Sequence, residues 1–270
     1  MHFVCPKCNG KLNILDGRCA CDNGHSFDKA RGGYYNLLLS NVGGTHGDNK
    51  EMVLARRTFL SGGYYEPLVE KLCQLVLLHT PKDSCLLDAG AGEGYYTDRV
   101  ERALYDRDGA SDVSAFDISK DAVREIGKKN QRISLAVAGS YHMPIADAEF
   151  DTVINTFSPL ALAETTRVLK QGGIFIMAIP GEMHLYDLKS VIYDTPYKNT
   201  VADTSLEGFE LIEDESISYK MKLDTHEAVW SLFMMTPYAY RTKPSDKARV
   251  GALNSLECTA DFRIFVYKKL

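Results

Sequence analysis

Between Asp83 and Gly181 the chain repeats one pattern: an apolar run, a turn, then an amphipathic stretch. Cys85 to Leu87 reads as a strand that runs into Asp88-Ala89-Gly90-Ala91-Gly92-Glu93-Gly94 and then into a helix. A second strand ends at Phe116-Asp117, with Ser119 placed to N-cap the next helix. A third strand, a loop and a fourth strand over Thr152 to Thr156 follow, then a helix, a Gly172-Gly173 stop and a fifth strand. Few folds accept such alternation. Right-handed βαβ connections turn it into a doubly wound parallel sheet, and such sheets bind ligands at the carboxyl ends of their strands. Gly90, Gly92, Asp117, Gly139 and Asn155 all fall there. Glycines let a ligand approach the backbone closely, and the helix behind them offers unpaired N–H groups. The turn is G-x-G-x-G after an acidic residue, not the dinucleotide pattern G-x-G-x-x-G. Asp117, 25 residues after Gly92, is placed to accept both hydroxyls of a ribose.

A second feature precedes this region. Cys5-Pro6-Lys7-Cys8 is a C-x2-C knuckle, and Cys19, Cys21 and His25 lie close together a dozen residues later. A structural zinc site needs four sulfur or nitrogen ligands. Residues two apart in extended chain point to opposite sides, so Cys19 and Cys21 chelate poorly together. Cys21 and His25 can converge from one turn. The expected ligands are therefore Cys5, Cys8, Cys21 and His25, in a segment too poor in large apolar residues to fold without the metal. Phe27, Tyr34, Tyr35 and Leu37 to Leu39 are expected to pack its small core.

Seven cysteines without a basic, then apolar, leader argue for thiols or metal ligands and for a cytoplasmic home. Apolar runs such as Leu75 to Leu78 are too short to span a bilayer. The net charge of −5 is uneven: Met1 to Leu60 carries eight Lys/Arg against five Asp/Glu, +3, and the remainder carries −8. A mildly basic head on an acidic body permits nucleic-acid binding without proving it.

"DAGAGEGYY", "FDIS", "FDTVINTFSP" and "RVLKQGG" resemble the motifs of class I S-adenosylmethionine-dependent methyltransferases, over most of residues 61–270. With the C-x2-C…C-x3-H knuckle, "GGYYNLL", "ARRTFL" and "GGYYEPL", the whole chain resembles the bacterial 23S ribosomal RNA guanine-N1 methyltransferases. The resemblance implies an α/β, Rossmann-like seven-stranded sheet with a small N-terminal zinc-binding domain, and zinc and S-adenosylmethionine as cofactors. It implies methylation at N1 of a guanine in a 23S rRNA hairpin, in the nucleotide 745 or 748 region, and a homodimer. It further implies that Tyr65, Asp88, Gly90, Gly92, Glu93, Gly94, Asp117 and His184 contact the cofactor. Many class I methyltransferases carry an acidic residue after the third strand for the adenine. Ala138-Gly139-Ser140 stands there instead, so backbone, Ser140, Tyr141 or His142 must serve.

Methyl transfer from a sulfonium needs mainly proximity and orientation. No His-Asp pair declares itself as the base for the guanine N1 proton. The fourth-strand tip offers Asn155 to hydrogen-bond the base edge and Phe157 to stack on its face, after the nucleotide is splayed out of the RNA. Residues 1–37 read as a zinc-binding RNA-recognition domain, 38–60 as linker and connecting helix with Gly43, Gly44 and Gly47, and 61–270 as the methyltransferase domain. Lys7, Lys11, Arg18, Lys29 and Arg31 are the head's candidate phosphate contacts. A chain starting near Ser61 is expected to keep its pocket, on the expectation that the sheet excludes the head. "SISYKMKLD" and "DFRIFVYKKL" read as a closing antiparallel pair, and "EAVWSLFMMTPYAYR" as a helix over the site with Trp230 and Phe233 buried. Two rival readings share the glycine turn: a methyltransferase of a small molecule with a purely structural knuckle, and a zinc-containing binding protein with a vestigial pocket.

Overall fold

A computed structural model describes residues 1–39, 48–201 and 204–270. The glycines of the expected linker, Gly43, Gly44 and Gly47, lie outside the described residues. Three short strands, β1 (Asn13–Leu15), β2 (Arg18–Ala20) and β3 (Ser26–Asp28), form an antiparallel sheet in the metal-ligand segment. A fourth, β4 (Tyr34–Asn36), leaves that sheet. Helices α1 (Lys50–Ser61) and α2 (Glu66–His79) are parted by Gly62-Gly63, as the sequence indicates. Asn49 caps α1 by accepting the Met52 N–H at 2.9 Å, and Pro67 sits in the first turn of α2, where a missing N–H costs nothing.

The alternating region then runs β5 (Cys85–Ala89), α3 (Tyr95–Asp108), β6 (Asp112–Asp117), α4 (Lys120–Lys129), β7 (Ser134–Val137), β8 (Phe150–Thr156), α5 (Leu162–Val168) and β9 (Leu169–Pro180). After α6 (Tyr186–Ile192) come β10 (Phe209–Leu223), α7 (His226–Met234), α8 (Tyr238–Arg241), α9 (Pro244–Gly251) and β11 (Leu256–Lys269). One sheet of eight strands collects them in the order β10-β11-β9-β8-β5-β6-β7-β4. Strands β5 to β9 pair in parallel, and β10 and β11 close the sheet as the expected antiparallel pair. The chain reverses its order of strand addition at β5, so β5 and its neighbours define the binding crevice.

Seven of these strands match the expected sheet; the eighth is β4, which pairs in parallel with β7. This corrects the expectation that the sheet excludes the head. Tyr34 joins the core on the helix-covered face, among Leu68, Val100, Ile126 and Leu135. Phe3, Leu12, Cys19, Tyr35 and Leu37 share the opposite core with Phe116, Phe150, Phe175 and Tyr267. The head thus covers sheet surface that a second helical layer covers in other doubly wound folds. The Val4 N–H donates to the Pro144 carbonyl at 2.8 Å and Phe3 bridges Ile145, fastening the head to the β7–β8 loop.

Two smaller expectations also change. Gly172-Gly173 does not stop a helix; α5 ends at Val168 and both glycines lie inside β9, where a Cβ on Gly173 meets the Lys170 carbonyl oxygen at 2.8 Å. Trp230 is half-buried at the edge of the core, whereas Phe233 is fully buried. The apolar stretch around them is two helices, because Pro237 interrupts the pattern after Met234. Among the described residues no helix is long and apolar enough to cross a membrane.

Candidate cofactor pocket and metal centre

The ligand atoms of Cys5, Cys8, Cys21 and His25 all lie within 4.8 Å of one another. Nδ1 of His25 is 3.4 Å from the sulfurs of Cys5 and Cys21, and the sulfurs of Cys8 and Cys21 are 3.6 Å apart. A tetrahedral zinc with the usual bond lengths separates two sulfurs by about 3.8 Å and a sulfur from a nitrogen by about 3.5 Å. The four residues fit the ion in both spacing and donor type. A hydrogen bond from the Asn23 side chain is the first cause that draws the Cys8 thiol down to about 6, which favours the ligating thiolate. Cys19 stands outside the cluster, and burial pushes its thiol up to about 11. All four positions are filled by protein, the signature of a structural site.

The second centre is a cavity of about 1190 Å³ at the carboxyl ends of β5, β6, β7 and β8. Its wall includes Tyr65, Asp88, Gly90, Gly92, Glu93 and Asp117 from the expected set. Gly90 (φ 91°), Gly92 (φ 56°) and Gly94 (φ 80°) all adopt left-handed backbone. At Gly90 there is also no space: a Cβ there meets Ser158 Oγ at 2.0 Å. Gly94 begins α3 behind the turn rather than facing the cavity. Asp117 accepts the Gly92 N–H at 2.9 Å on one oxygen and the Ser119 N–H at 2.7 Å on the other. Those bonds fix the carboxylate, and its remaining lone pairs are free for a diol. Gly139, Ser140, Tyr141 and His142 line the same cavity after β7.

Asp88 is 1% exposed; one oxygen accepts the Thr97 hydroxyl at 2.6 Å and the other has no partner. Burial pushes its carboxyl up to about 7. Glu93 Oε1 and Thr156 Oγ1, also in the wall, are likewise buried without a partner. Three orphaned polar atoms around a glycine cradle are what a polar, partly cationic nucleoside ligand would satisfy. S-adenosylmethionine is such a ligand, and these residues fit it.

Tyr65 and His184 come from distant parts of the chain and meet: the hydroxyl oxygen lies 3.3 Å from His184 Nε2. The Asp261 N–H donates to His184 Nδ1 at 3.3 Å, which places the imidazole proton on Nε2 and directs it to the tyrosine oxygen. Burial first, then Lys189, lowers the imidazole to about 3, so it stays neutral. The Tyr65 hydroxyl keeps its own proton, since burial raises it well above the usual range. It can therefore donate into the cavity. His184 itself lies behind Tyr65, outside the cavity wall.

Phe157 sits at the β8 tip with φ 57° and is 38% exposed. Left-handed backbone at a bulky residue costs about 1–2 kcal/mol. The strain turns the ring into the cavity wall, stacked at 14° on His184. Asn155 is placed differently from the expectation that it meets the base edge. It is buried beneath the wall, and its amide faces the carbonyls of Ala89 at 3.4 Å and Pro159 at 3.5 Å. The sequence reading missed Arg56 and Asp48, which pair in the wall, and Arg167, which binds the Met143 and Ile145 carbonyls and shapes the β7–β8 loop. "ARRTFL" was the available signal for Arg56.

Comparisons with known proteins agree with both centres. A zinc-ribbon family model described as "RlmA, N-terminal" matches residues 3–41. A family model described as "Methyltransferase domain" matches residues 87–177. A Streptomyces fradiae protein named 23S rRNA (guanine(748)-N(1))-methyltransferase is 31% identical over 255 residues, 92% of this chain and 89% of its own. A Geobacter sulfurreducens malonyl-[acyl-carrier protein] O-methyltransferase is 28% identical over 46% of this chain and 48% of its own. Among solved structures, the Bacillus subtilis YcgJ protein superposes with a TM-score of 0.50 at 13% identity, covering 74% of this chain and 97% of its own, a likeness of fold alone. The ligand tetrad, the glycine cradle and a relative alike over 92% of the chain converge on one assignment: the chain belongs to the 23S rRNA (guanine-N1)-methyltransferase family.

Proposed function

We propose that this protein transfers a methyl group from S-adenosylmethionine to N1 of a guanine in a 23S ribosomal RNA hairpin. The observation that carries the reading is the joint presence, in one packed unit, of the zinc tetrad and the cradle at the β5, β6 and β8 tips. The Streptomyces fradiae relative, alike over 92% of this chain, is named for the guanine at 748; the 745 or 748 region is the place to look. When bound, S-adenosylmethionine supplies an electrophilic methyl carbon for in-line transfer.

This chain's residues then have separable tasks. Asp117 and the Gly90–Gly94 turn hold the nucleoside end. Asp88 offers its unpartnered oxygen to the cationic part, and Tyr65, kept oriented by His184, donates one hydrogen bond. Phe157 offers its face to the splayed base, and Asn155 braces the 156–159 turn from below instead of touching the base. Catalysis in this reading rests on orientation and exclusion of water.

The division of labour is functional: residues 1–37 select RNA, 38–60 connect, and 61–270 transfer. Lys7, Lys11, Arg18, Lys29 and Arg31 are all exposed on the head, where they suit phosphate contacts. A shared core and β4 tie the parts together, and α1 lends Arg56 and Leu60 to the cavity. Removal of residues 1–60 therefore breaks the pocket as well as recognition. The family resemblance also supports a homodimer, which light scattering of the purified protein would report. The activity is tested by incubating the purified protein with labelled S-adenosylmethionine and the RNA hairpin. Label on guanine N1 supports it; label on small metabolites alone favours the rival methyltransferase.

A further inference from the structure

The cofactor end of the cavity is crowded with acid. Asp48, Asp88, Glu93 and Asp117 all line it, and each is partly or wholly withdrawn from water. Among the described residues two guanidinium groups line the cavity, Arg56 and Arg167. Arg167 is consumed by Glu164, Asp147 and two loop carbonyls. Arg56 is the guanidinium among the described residues that stands at the ribose end. It reaches in from α1, pairs with Asp48, and points its Nη2 at the Met235 carbonyl 3.5 Å away. Its Nη1 lies 3.6 Å from where a Cβ on Gly92 would be, directly above the residue whose N–H is bound to Asp117.

We propose that Arg56 is a positioning residue that acts as the counter-charge of the pocket, keeping Glu93 and Asp117 in their hydrogen-bond-accepting form so that the nucleoside binds across the neutral pH range. The inference rests on the reading of this cavity as the S-adenosylmethionine pocket. A buried carboxylate without a neighbouring cation takes up a proton, and a protonated Asp117 has lost the charge with which it would hold a diol. Burial already pushes Glu93 and Asp117 up; Arg56 is the first group to oppose it at Glu93, while at Asp117 the Ser119 and Gly92 N–H bonds do so first and Arg56 adds to them by offsetting part of the push from Asp48. The other charged or titratable groups are accounted for. Asp48 raises both carboxylates. Asp117 and Asp88 repel one another. Lys129, at the exposed end of α4, acts on Glu93. Tyr65, Tyr96 and Tyr240 face Arg56, Tyr95 and Tyr96 face Glu93, and all four stay neutral, since burial raises each of them. A guanidinium does not lose its proton in a protein, so the charge it supplies is constant with pH.

The test uses S-adenosylhomocysteine, the demethylated cofactor, in calorimetric titrations of the full chain from pH 6 to 8.5. The wild type sets the baseline at each pH, including the titration of Asp88 near 7 that both proteins share, and the test reads the difference between variant and wild type. Arg56→Gln should bind about tenfold more weakly at pH 6 and recover most of that loss by pH 8.5, because one unit of acceptor titration is a tenfold change. Arg56→Met keeps bulk without charge and should show the same slope, so either neutral variant carries the test if the other fails to fold by circular dichroism. A neutral variant with wild-type affinity at every pH overturns the proposal. So does a loss equal at every pH, which means Arg56 only packs. If the wild type itself fails to bind, the cofactor reading is wrong, a result distinct from either.

Discussion

Asp88→Asn probes the most costly group in the pocket. The carboxyl is almost fully buried with one unpartnered oxygen, and burial moves it from 3.8 to about 7. Its folded value is thus above its unfolded value. The stability it contributes is fully present below about pH 4 and is lost as pH rises through about 7. At 1.36 kcal/mol per unit, holding this group in the fold costs the unliganded protein about 2 kcal/mol at pH 5.5 and about 4 kcal/mol at pH 7.5. Asparagine cannot titrate, so whatever fixed offset it carries is the same at both values. The stability difference between variant and wild type should therefore move by about 2 kcal/mol in the variant's favour between pH 5.5 and 7.5. For a chain of this size that is about 4–8 °C in Tm. Thermal unfolding of both proteins without cofactor, at three or four pH values, measures it. A difference that stays constant with pH would show that Asp88 is ionised throughout, and the burial argument for this pocket would fail.

Further expectations follow from single contacts. Purified protein should carry about one zinc per chain; Cys21→Ser should lose it and Cys19→Ser keep it, and equal loss in both would unseat the assigned tetrad. Asp117→Ala should weaken S-adenosylhomocysteine binding by about 1.5–3 kcal/mol, the scale of charge-assisted hydrogen bonds; unchanged calorimetry would place the ribose elsewhere. Phe157→Ala should leave that affinity within about twofold and lower RNA turnover at least fivefold, because one base–aromatic stack is worth about 1–3 kcal/mol; normal turnover would remove Phe157 from the reaction. Neutralising Lys7, Lys11 and Arg18 should weaken RNA binding and reduce its salt dependence by about one unit of slope per lost phosphate contact; an unchanged slope would take the head out of RNA recognition.

What could be read from the sequence was local. The glycine turn, the N-cap Ser119 and the acidic strand tip Asp117 occupy the places their spacing assigns, because a strand–turn–helix unit is fixed by a few neighbouring residues. The zinc tetrad was legible for the same reason. Residues whose partners are far along the chain were not. Tyr65 and His184, 119 residues apart, carry no pattern that predicts their contact, and only a family resemblance suggested them. Asn155 had the right position but the wrong direction, since strand alternation turns it beneath the wall while Phe157 bends into it through a strained backbone. Three residues, Tyr34 to Asn36, were too short a run to announce a sheet edge, so the head seemed separable. Gly172-Gly173 resembled a helix stop because glycine serves close backbone passage and helix termination alike.

The central claim is that this cradle and this zinc head together methylate N1 of one guanine. Mass mapping of 23S ribosomal RNA from cells with and without the protein tests it directly. The account predicts a single methyl group on guanine N1 in the 745 or 748 region, present with the wild-type protein, absent without it and reduced with Asp117→Ala. An unchanged methylation map across all three, or a methyl group appearing at another base or atom, would contradict it.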